Sequence, residues 1–210
     1  MFPVPASLPY HEFFSIGIDK MKMVQVVSLW MLAAPVIAGN IETFELGGVR
    51  LGMSPNEAKA IVQSKCKRDD GIFQDASGYQ HPFVPRKQFS LGYICRTEVV
   101  TFAVQMAALP TGPVVVEQIT SKMTWNSENM KSLRESAVEK YGKPTHITSD
   151  GFRYEWCENP EPVSGDHQRC LSSRQPKIMI GHADIELSDP RYRDQVAAAH
   201  KAKMTSKPLL

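Results

Sequence analysis

The residues of this chain that could take part in chemistry are few and widely spaced. His182 and Asp184 stand two positions apart in an alternating segment, so that in a strand both side chains would project to the same face. Such a pair can orient a base or bind a metal. Polar positions on a strand face are more often simply solvated, so we keep His182 and Asp184 as candidate binding residues and assign no catalytic residue.

The remaining histidines have no partner that the sequence reveals. His81, His146 and His167 all fall in predicted loops. The longest of these loops runs from Lys67 to Lys87 and contains both Tyr79 and His81. Because a long connection in a compact domain is either functional or disordered, both interpretations stay open, and Tyr79 and His81 are two further binding candidates.

Recognisable enzyme motifs are absent from the sequence. It contains no G-x-S-x-G elbow, no phosphate-binding glycine loop and no H-E-x-x-H helix, and no cofactor is predicted. Phe152, Tyr154 and Trp156 alternate along one predicted strand. They could line a ligand groove, although aromatic residues on one strand face more often belong to the core.

The four cysteines are expected to form disulfides. Four cysteines allow three pairings. Cys157 and Cys170 bracket a polar loop, "CENPEPVSGDHQRC", so we predict a local bridge between them, which leaves Cys66 to pair with Cys95. The alternative is a metal site using Cys157, His167 and Cys170, but the spacing lacks a C-x2-C pair and no fourth ligand is evident. We therefore predict no metal.

An apolar segment near the start, "MKMVQVVSLWMLAAPVIAGN", predicts export. Lys20 and Lys22 precede an uncharged apolar run that is shorter than the roughly twenty residues of a membrane span and ends in small side chains. We interpret residues 21–38 as a signal peptide cleaved after Ala38, with Met21 or Met23 as the true initiator and residues 1–20 as an extension ahead of it. A buried core helix or an uncleaved anchor is the alternative.

Charge and length limit the partners and the domain organisation that the sequence allows. The formal net charge is +2, which is no footprint for nucleic-acid binding. No cysteine stands directly after the apolar run to accept a lipid, so no stable membrane anchor is expected after cleavage. Residues 39–204 then form one domain with a frayed tail at 205–210, in the periplasm or secreted.

The periodicity of that domain predicts an α+β fold. Amphipathic patterns with capping signals indicate helices at 54–66 and 127–141, with a last helix after Pro190, and alternation indicates the strands 97–106, 114–124, 151–157 and 177–187. In the second strand Val115, Ile119, Met123 and Trp125 are expected on one face, the core side, against Glu117 and Ser121. We predict an antiparallel sheet of at least four strands, covered on one face by helices, in an order that allows two similar helix-hairpin halves.

Two short motifs carry a resemblance to known proteins. Gly52-Met53-Ser54 opens one predicted helix and Gly142-Lys143-Pro144 closes another. Over residues 45–187 the chain resembles the SmpA/OmlA (BamE-like) and β-lactamase-inhibitor-protein-like envelope domains, and it departs from the lipoprotein members by lacking a lipid-accepting cysteine. The resemblance implies an envelope domain of helices packed on antiparallel strands.

Two classes of function remain. The preferred one is an exported, non-catalytic module whose partner is an envelope protein or a small ligand. The alternative is a periplasmic hydrolase or other enzyme with a dispersed active site, which a convergent cluster around His182 and Asp184 would favour.

Cleavage of the signal peptide can be tested directly. We expect the exported protein to begin at or near Gly39, because the small side chains before it suit a signal peptidase. Intact-mass measurement of the exported protein checks this. Recovery of a membrane-bound form that retains residues 23–38 would contradict it.

Overall fold

A computed structural model describes residues 41–124, 126–158, 161–163, 167–170 and 175–205. They belong to one compact unit. The extension at 1–20, the signal segment at 21–38, Trp125 and the end of the expected tail, 206–210, lie outside the described residues.

The chain alternates helices with antiparallel strands. A short 3-10 turn, Ile41–Thr43, precedes the first hairpin. The helices are α1 (Pro55–Arg68), α2 (Ser127–Tyr141) and α3 (Pro190–Thr205). The strands, in chain order, are β1 (Glu45–Leu46), β2 (Val49–Arg50), β3 (Ile72–Asp75), β4 (Tyr79–Gln80), β5 (Gln88–Phe89), β6 (Gly92–Arg96), β7 (Val100–Ala108), β8 (Val114–Met123), β9 (His146–Ile147), β10 (Tyr154–Cys157), β11 (Glu161–Val163), β12 (His167–Arg169), β13 (Lys177–Ile180) and β14 (Asp184–Ser188).

Eight of these strands form one antiparallel sheet, in the order β3-β6-β7-β8-β14-β13-β10-β9. α1 precedes the neighbours β6, β7 and β8, and α2 precedes the neighbours β10, β13 and β14. The two sets meet where β8 pairs with β14. The predicted α+β fold is confirmed, and its element order fits two helix-plus-strand halves.

Helix α1 begins where the capping signal predicts. The Glu57 carboxylate accepts hydrogen bonds from the Ser54 amide at 3.2 Å and from the Ser54 hydroxyl at 2.5 Å. The backbone N–H of Ser54, which has no partner within the helix, is satisfied in this way. Ala58, Val62 and Cys66 then fall on one face and are buried. The polar sides of the helix remain in water.

Helix α2 has similar end signals. The Asn126 side chain accepts a hydrogen bond from the Asn129 amide at 2.6 Å, and Gly142 ends the helix with a φ of 79° that favours glycine. The Tyr141 ring lies 6.2 Å from the Trp156 ring of β10. This contact puts α2 against the same face of the sheet that α1 covers.

The strand register separates the two faces of the sheet. One row of paired residues is almost fully buried and crosses six strands: Tyr93, Val104, Ile119, Leu187, Ile178 and Trp156. The adjacent row points the other way because side chains alternate along a strand, and it crosses all eight strands: Gln74, Ile94, Ala103, Thr120, Glu186, Met179, Glu155 and His146. Six of these eight are partly or fully exposed. The first face packs on α1 and α2, and much of the second is open.

The structure corrects two of the predicted elements. Residues 67–87 were expected to form a loop, but Ile72–Asp75 form the strand β3. The sequence does not show the alternation of a strand here, because Asp75 occupies a position that faces the core. Lys59, 2.7 Å away, neutralises it. Residues 177–187 were expected to form one strand, but the chain turns at Gly181. The Gly181 amide donates to the Asp184 carbonyl at 3.0 Å, and a Cβ on Gly181 would overlap the Asp184 carboxylate.

Both disulfides form as predicted. Cys66 of α1 pairs with Cys95 of β6, and Cys157 of β10 pairs with Cys170. The sulfur atoms that the alternative metal site would need are therefore joined to each other. In the part of the chain that the structure describes, no group of three metal-ligating side chains comes together.

The disulfides also bear on the compartment. Structural disulfides persist in an oxidising, extracytoplasmic environment, and both bonds here indicate folding in one. None of the helices in the described ranges is both long and apolar enough to span a bilayer.

The two disulfides should differ in their effect on stability. A disulfide stabilises the fold by restricting the unfolded chain, and the effect grows with the length of the loop it closes. Cys157 and Cys170 are 13 residues apart, so we expect their replacement by Ser to lower the free energy of unfolding by about 3 kcal/mol. Replacement of Cys66 and Cys95, separated by 29 residues, should lower it by about 3.5 kcal/mol. Urea unfolding of both double variants measures this, and a variant as stable as the unmodified protein would contradict it.

Candidate functional site

A cavity on the open face of the sheet has a volume of about 630 Å³. It extends over β3, β6, β7 and β8. Its lining residues are Gln74, Asp75, Ala76, Leu91, Gly92, Ile94, Ala103, Val104, Gln105, Met106 and Glu117. Small-molecule sites are usually clefts of roughly 300–1,000 Å³ with mostly apolar walls and a few polar groups, and this cavity fits that description.

Small side chains make the space for this cavity. Ala103 points to the open face from the middle of β7 and leaves room that a larger residue would fill. Gly92 lets β6 approach β7 closely, since a Cβ there would overlap the Val104 carbonyl oxygen. Leu91 and Ile94 supply apolar surface. Larger side chains at these positions would fill the space and leave this face of the sheet flat.

A β-bulge brings a carboxylate to this cavity. Gln105 of β7 is opposite Gln118 of β8, and the next residue, Met106, is opposite Val116. Glu117 therefore has no partner on β7 and is the extra residue of a bulge. Its carbonyl oxygen instead accepts a hydrogen bond from the Asp189 amide at 2.9 Å. Bulges reorient side chains, and this one directs Glu117 toward the cavity.

The bulge corrects the predicted pattern of β8. The sequence analysis expected Val115, Ile119 and Met123 on the core side of a regular strand. In the structure Val116 and Ile119 are both fully buried, while Val115 is only half-buried. The two buried positions are an odd number of residues apart, so only a bulge can turn both toward the core.

The Glu117 side chain is poorly solvated, with an exposed fraction of 13%. Burial raises the pKa of its carboxyl group, and the charge of Arg193 acts in the opposite direction. The nearest approach of Arg193 Nη2 to Glu117 Oε1 is 3.6 Å, which is too long for a hydrogen bond. The same Nη2 atom donates to Gln118 Oε1 at 3.2 Å.

Asp75 also borders the cavity, but its side chain points to the core face of β3 and is neutralised there by Lys59 at 2.7 Å. Burial alone would raise its pKa, but the hydrogen bond and the charge of Lys59 outweigh this effect, so the pKa is lowered. Lys59 belongs to α1 and lines a separate cavity of about 510 Å³ on the other side of β3. Glu117 has a looser ion pair, with Arg193 at 3.6 Å.

The predicted pair His182 and Asp184 is not a site on a strand face. His182 lies exposed in the turn between β13 and β14, and its ring is 5.1 Å from the ring of Phe152. Asp184 begins β14 and folds over Gly181. The expectation that both would project from one strand is wrong because Gly181 breaks that strand. Neither residue lines the large cavity.

Tyr79 and His81 belong to the small hairpin of β4 and β5. Tyr79 is half-exposed, and His81 is buried. The His81 Nδ1 atom accepts hydrogen bonds from the amides of Phe83 and Val84 at 3.2 and 3.1 Å. The ring therefore shapes the following turn, and burial, followed by the charge of Lys87, lowers its pKa.

A buried pair that sequence analysis missed lies at the far end of the open face. His146 of β9 is opposite Glu155 of β10, and both are less than a tenth exposed. Glu155 Oε2 accepts a hydrogen bond from the Cys170 amide at 3.2 Å, while Nε2 of His146 is buried without a partner. No sequence signal pointed here, because β9 has only two residues.

The predicted aromatic set divides between core and surface. Trp156 is buried, whereas Phe152 is about half exposed and precedes the strand. The Arg134 guanidinium lies 5.9 Å from the Phe152 ring centroid and 5.3 Å from that of Tyr154. This cluster borders a cavity of about 320 Å³ beside α2.

Comparison of the chain with protein-family models, with curated proteins and with solved structures finds no match. The resemblance to SmpA/OmlA-type envelope domains therefore stays a prediction.

The environment of His81 predicts a dependence of stability on pH. Its pKa in the folded protein lies below the unfolded value of 6.5, so the unfolded chain binds the proton more readily. The free energy of unfolding should therefore fall as the pH drops below 6.5. In His81→Asn, whose side-chain oxygen can accept the same amides, that part of the pH dependence should disappear.

Urea unfolding above and below this pH, for the unmodified protein and His81→Asn, provides the measurement. His182→Asn, in an exposed turn, is the matched control and should keep the full dependence. Equal slopes for the unmodified protein and His81→Asn would show that His81 contributes nothing.

Proposed function

We propose that the protein is an exported, non-catalytic binding module of the periplasm or extracellular space that holds a small ligand in the cavity on the open face of its sheet. The observation that carries this proposal is a cavity of about 630 Å³ on the face of the sheet opposite to α1 and α2. Helix α3 contacts β7 and β8, and its Arg193 reaches Gln118 on the same side of the sheet as the cavity.

The cavity is built on rigid elements, which supports a binding role. Ile94 of β6 lines it, and the next residue, Cys95, points the other way into the disulfide with α1. The strand that carries one wall is thus tied covalently to the helix behind it. A site held in this way loses little conformational freedom when a ligand binds.

The exported location is supported by two independent features. The signal peptide predicted over residues 21–38 and the two disulfides both suit an oxidising compartment outside the cytoplasm. Among bacterial compartments the periplasm fits this proposal, as does the resemblance to envelope domains. A net charge of +2 gives no reason to expect a nucleic-acid partner.

A binding role is favoured over the hydrolase alternative by the composition of the cavity. The hydrolase would need a base near a nucleophile, and its candidates, His182 and Asp184, lie away from this cavity. Glutamine, carboxylate and aliphatic side chains line the space instead, and they suit recognition of a ligand.

A substitution that fills the cavity tests the proposal. We expect ligands from a small-molecule library to perturb the amide NMR signals of β6 and β7, around Ile94, Ala103 and Gln105. Ala103→Phe should abolish these perturbations by occupying the space. Met179→Phe adds a similar ring to the same row of the sheet outside the lining residues, so it should leave them intact.

Two results would count against a binding role for this cavity. One is the absence of any library ligand that perturbs β6 and β7. The other is binding that Ala103→Phe leaves unchanged while its circular dichroism matches that of the unmodified protein.

A further inference from the structure

We propose that the ligand of this cavity is an organic cation, an alkylammonium or alkylguanidinium group on an apolar body, whose charged end binds the Glu117 carboxylate. The inference rests on the proposed function and deepens it by naming the class of ligand.

The first argument is the unused hydrogen-bonding capacity of Glu117. An ionised carboxylate can accept about four hydrogen bonds. The nearest cation, Arg193, is 3.6 Å away and directs its hydrogen bond to Gln118 instead. With only 13% of its side chain exposed, Glu117 is also poorly compensated by water. A cation inside the cavity would supply the missing partner.

The second argument is the charge of the lining. Asp75 and Glu117 are the acidic residues around the cavity, and in the described part of the chain no lysine, arginine or histidine lines it. The Asp75 side chain points to the core face of β3, so Glu117 supplies the carboxylate of the open face. Lys59 neutralises Asp75 at 2.7 Å. The charge of Glu117 is compensated only partly, by Arg193 at 3.6 Å from outside the lining, so the lining attracts a cation and repels an anion.

The third argument is the shape and polarity of the rest of the space. Leu91 and Ile94 offer aliphatic surface, and Ala103 leaves depth for a ligand. A small inorganic cation would leave this surface unused, and in the described residues no three ligating side chains converge to hold one. A cation with an alkyl body uses both the carboxylate and the apolar wall.

Arg193 has a separate role in this arrangement. Its side chain is 64% exposed and reaches Glu117 from outside the cavity lining, so it partly neutralises the carboxylate while the cavity is free. A bound ammonium group would compete with it. Removal of Arg193 should therefore leave affinity for cations unchanged or increase it.

The test uses three probes that share one hydrocarbon chain: hexylammonium, hexanol and hexanoate. By calorimetric or NMR titration, we expect the cavity to bind hexylammonium most tightly and hexanoate most weakly. Glu117→Gln should weaken hexylammonium binding by about tenfold or more, as expected for loss of a charge-assisted hydrogen bond, and should leave hexanol binding unchanged.

Two further variants complete the design. Glu186→Gln removes a carboxylate from the same face of the sheet, outside the cavity lining, and should leave all three affinities unchanged. Arg193→Ala should bind hexylammonium at least as tightly as the unmodified protein does. Thermal unfolding of each variant confirms that it is folded.

The possible results separate this inference from the proposed function. Equal binding of hexylammonium and hexanol, unaffected by Glu117→Gln and abolished by Ala103→Phe, overturns the cation proposal but supports a binding cavity. Preference for hexanoate, lost in Arg193→Ala, overturns it in favour of an anion site. Failure of all three probes also overturns it, and failure of the wider library as well removes the proposed function.

Discussion

The register of the eight antiparallel strands is the constraint on which the rest of the structure depends. Because side chains alternate, one row of paired residues enters the core and the adjacent row faces away from it. Helices α1 and α2 pack on the first face, whereas Arg193 of α3 reaches Gln118 on the second. A hollow on the part of the second face that α3 leaves uncovered is open to ligands, and the residues that form it need not serve the core.

The disulfides secure this register where the sheet is weakest. The outermost strands are short, with four residues in β3 and two in β9, and strands of that length contribute few ladder bonds. One disulfide anchors β6, the neighbour of β3, and the other anchors β10, the neighbour of β9. The long central strands β7 and β8 take part in neither disulfide. They are held instead by the buried residues around Phe102 and Ile119.

The parts of the fold that sequence analysis predicts are those with strong local signals. Ser54 with Glu57 marks the start of α1, Gly142 marks the end of α2, and alternation identifies β7 and β8. β3 was missed because its inward Asp75 breaks the apolar pattern, and only the distant Lys59 makes that position tolerable. His146 and Glu155 are paired by strand register alone, which a single sequence does not reveal.

The candidate site illustrates the same limit, because it follows from a conflict within "VVVEQI". Val116 and Ile119 are both large and apolar, and both gain free energy by burial, yet a regular strand would turn them to opposite faces. The bulge resolves the conflict by adding one residue to β8, and the added residue is Glu117. A charged side chain in this position cannot enter the core, so it goes to the open face, where Ala103 and Gly92 have left space. The bulge that lets Val116 and Ile119 both enter the core on one face thus places the Glu117 carboxylate on the other face.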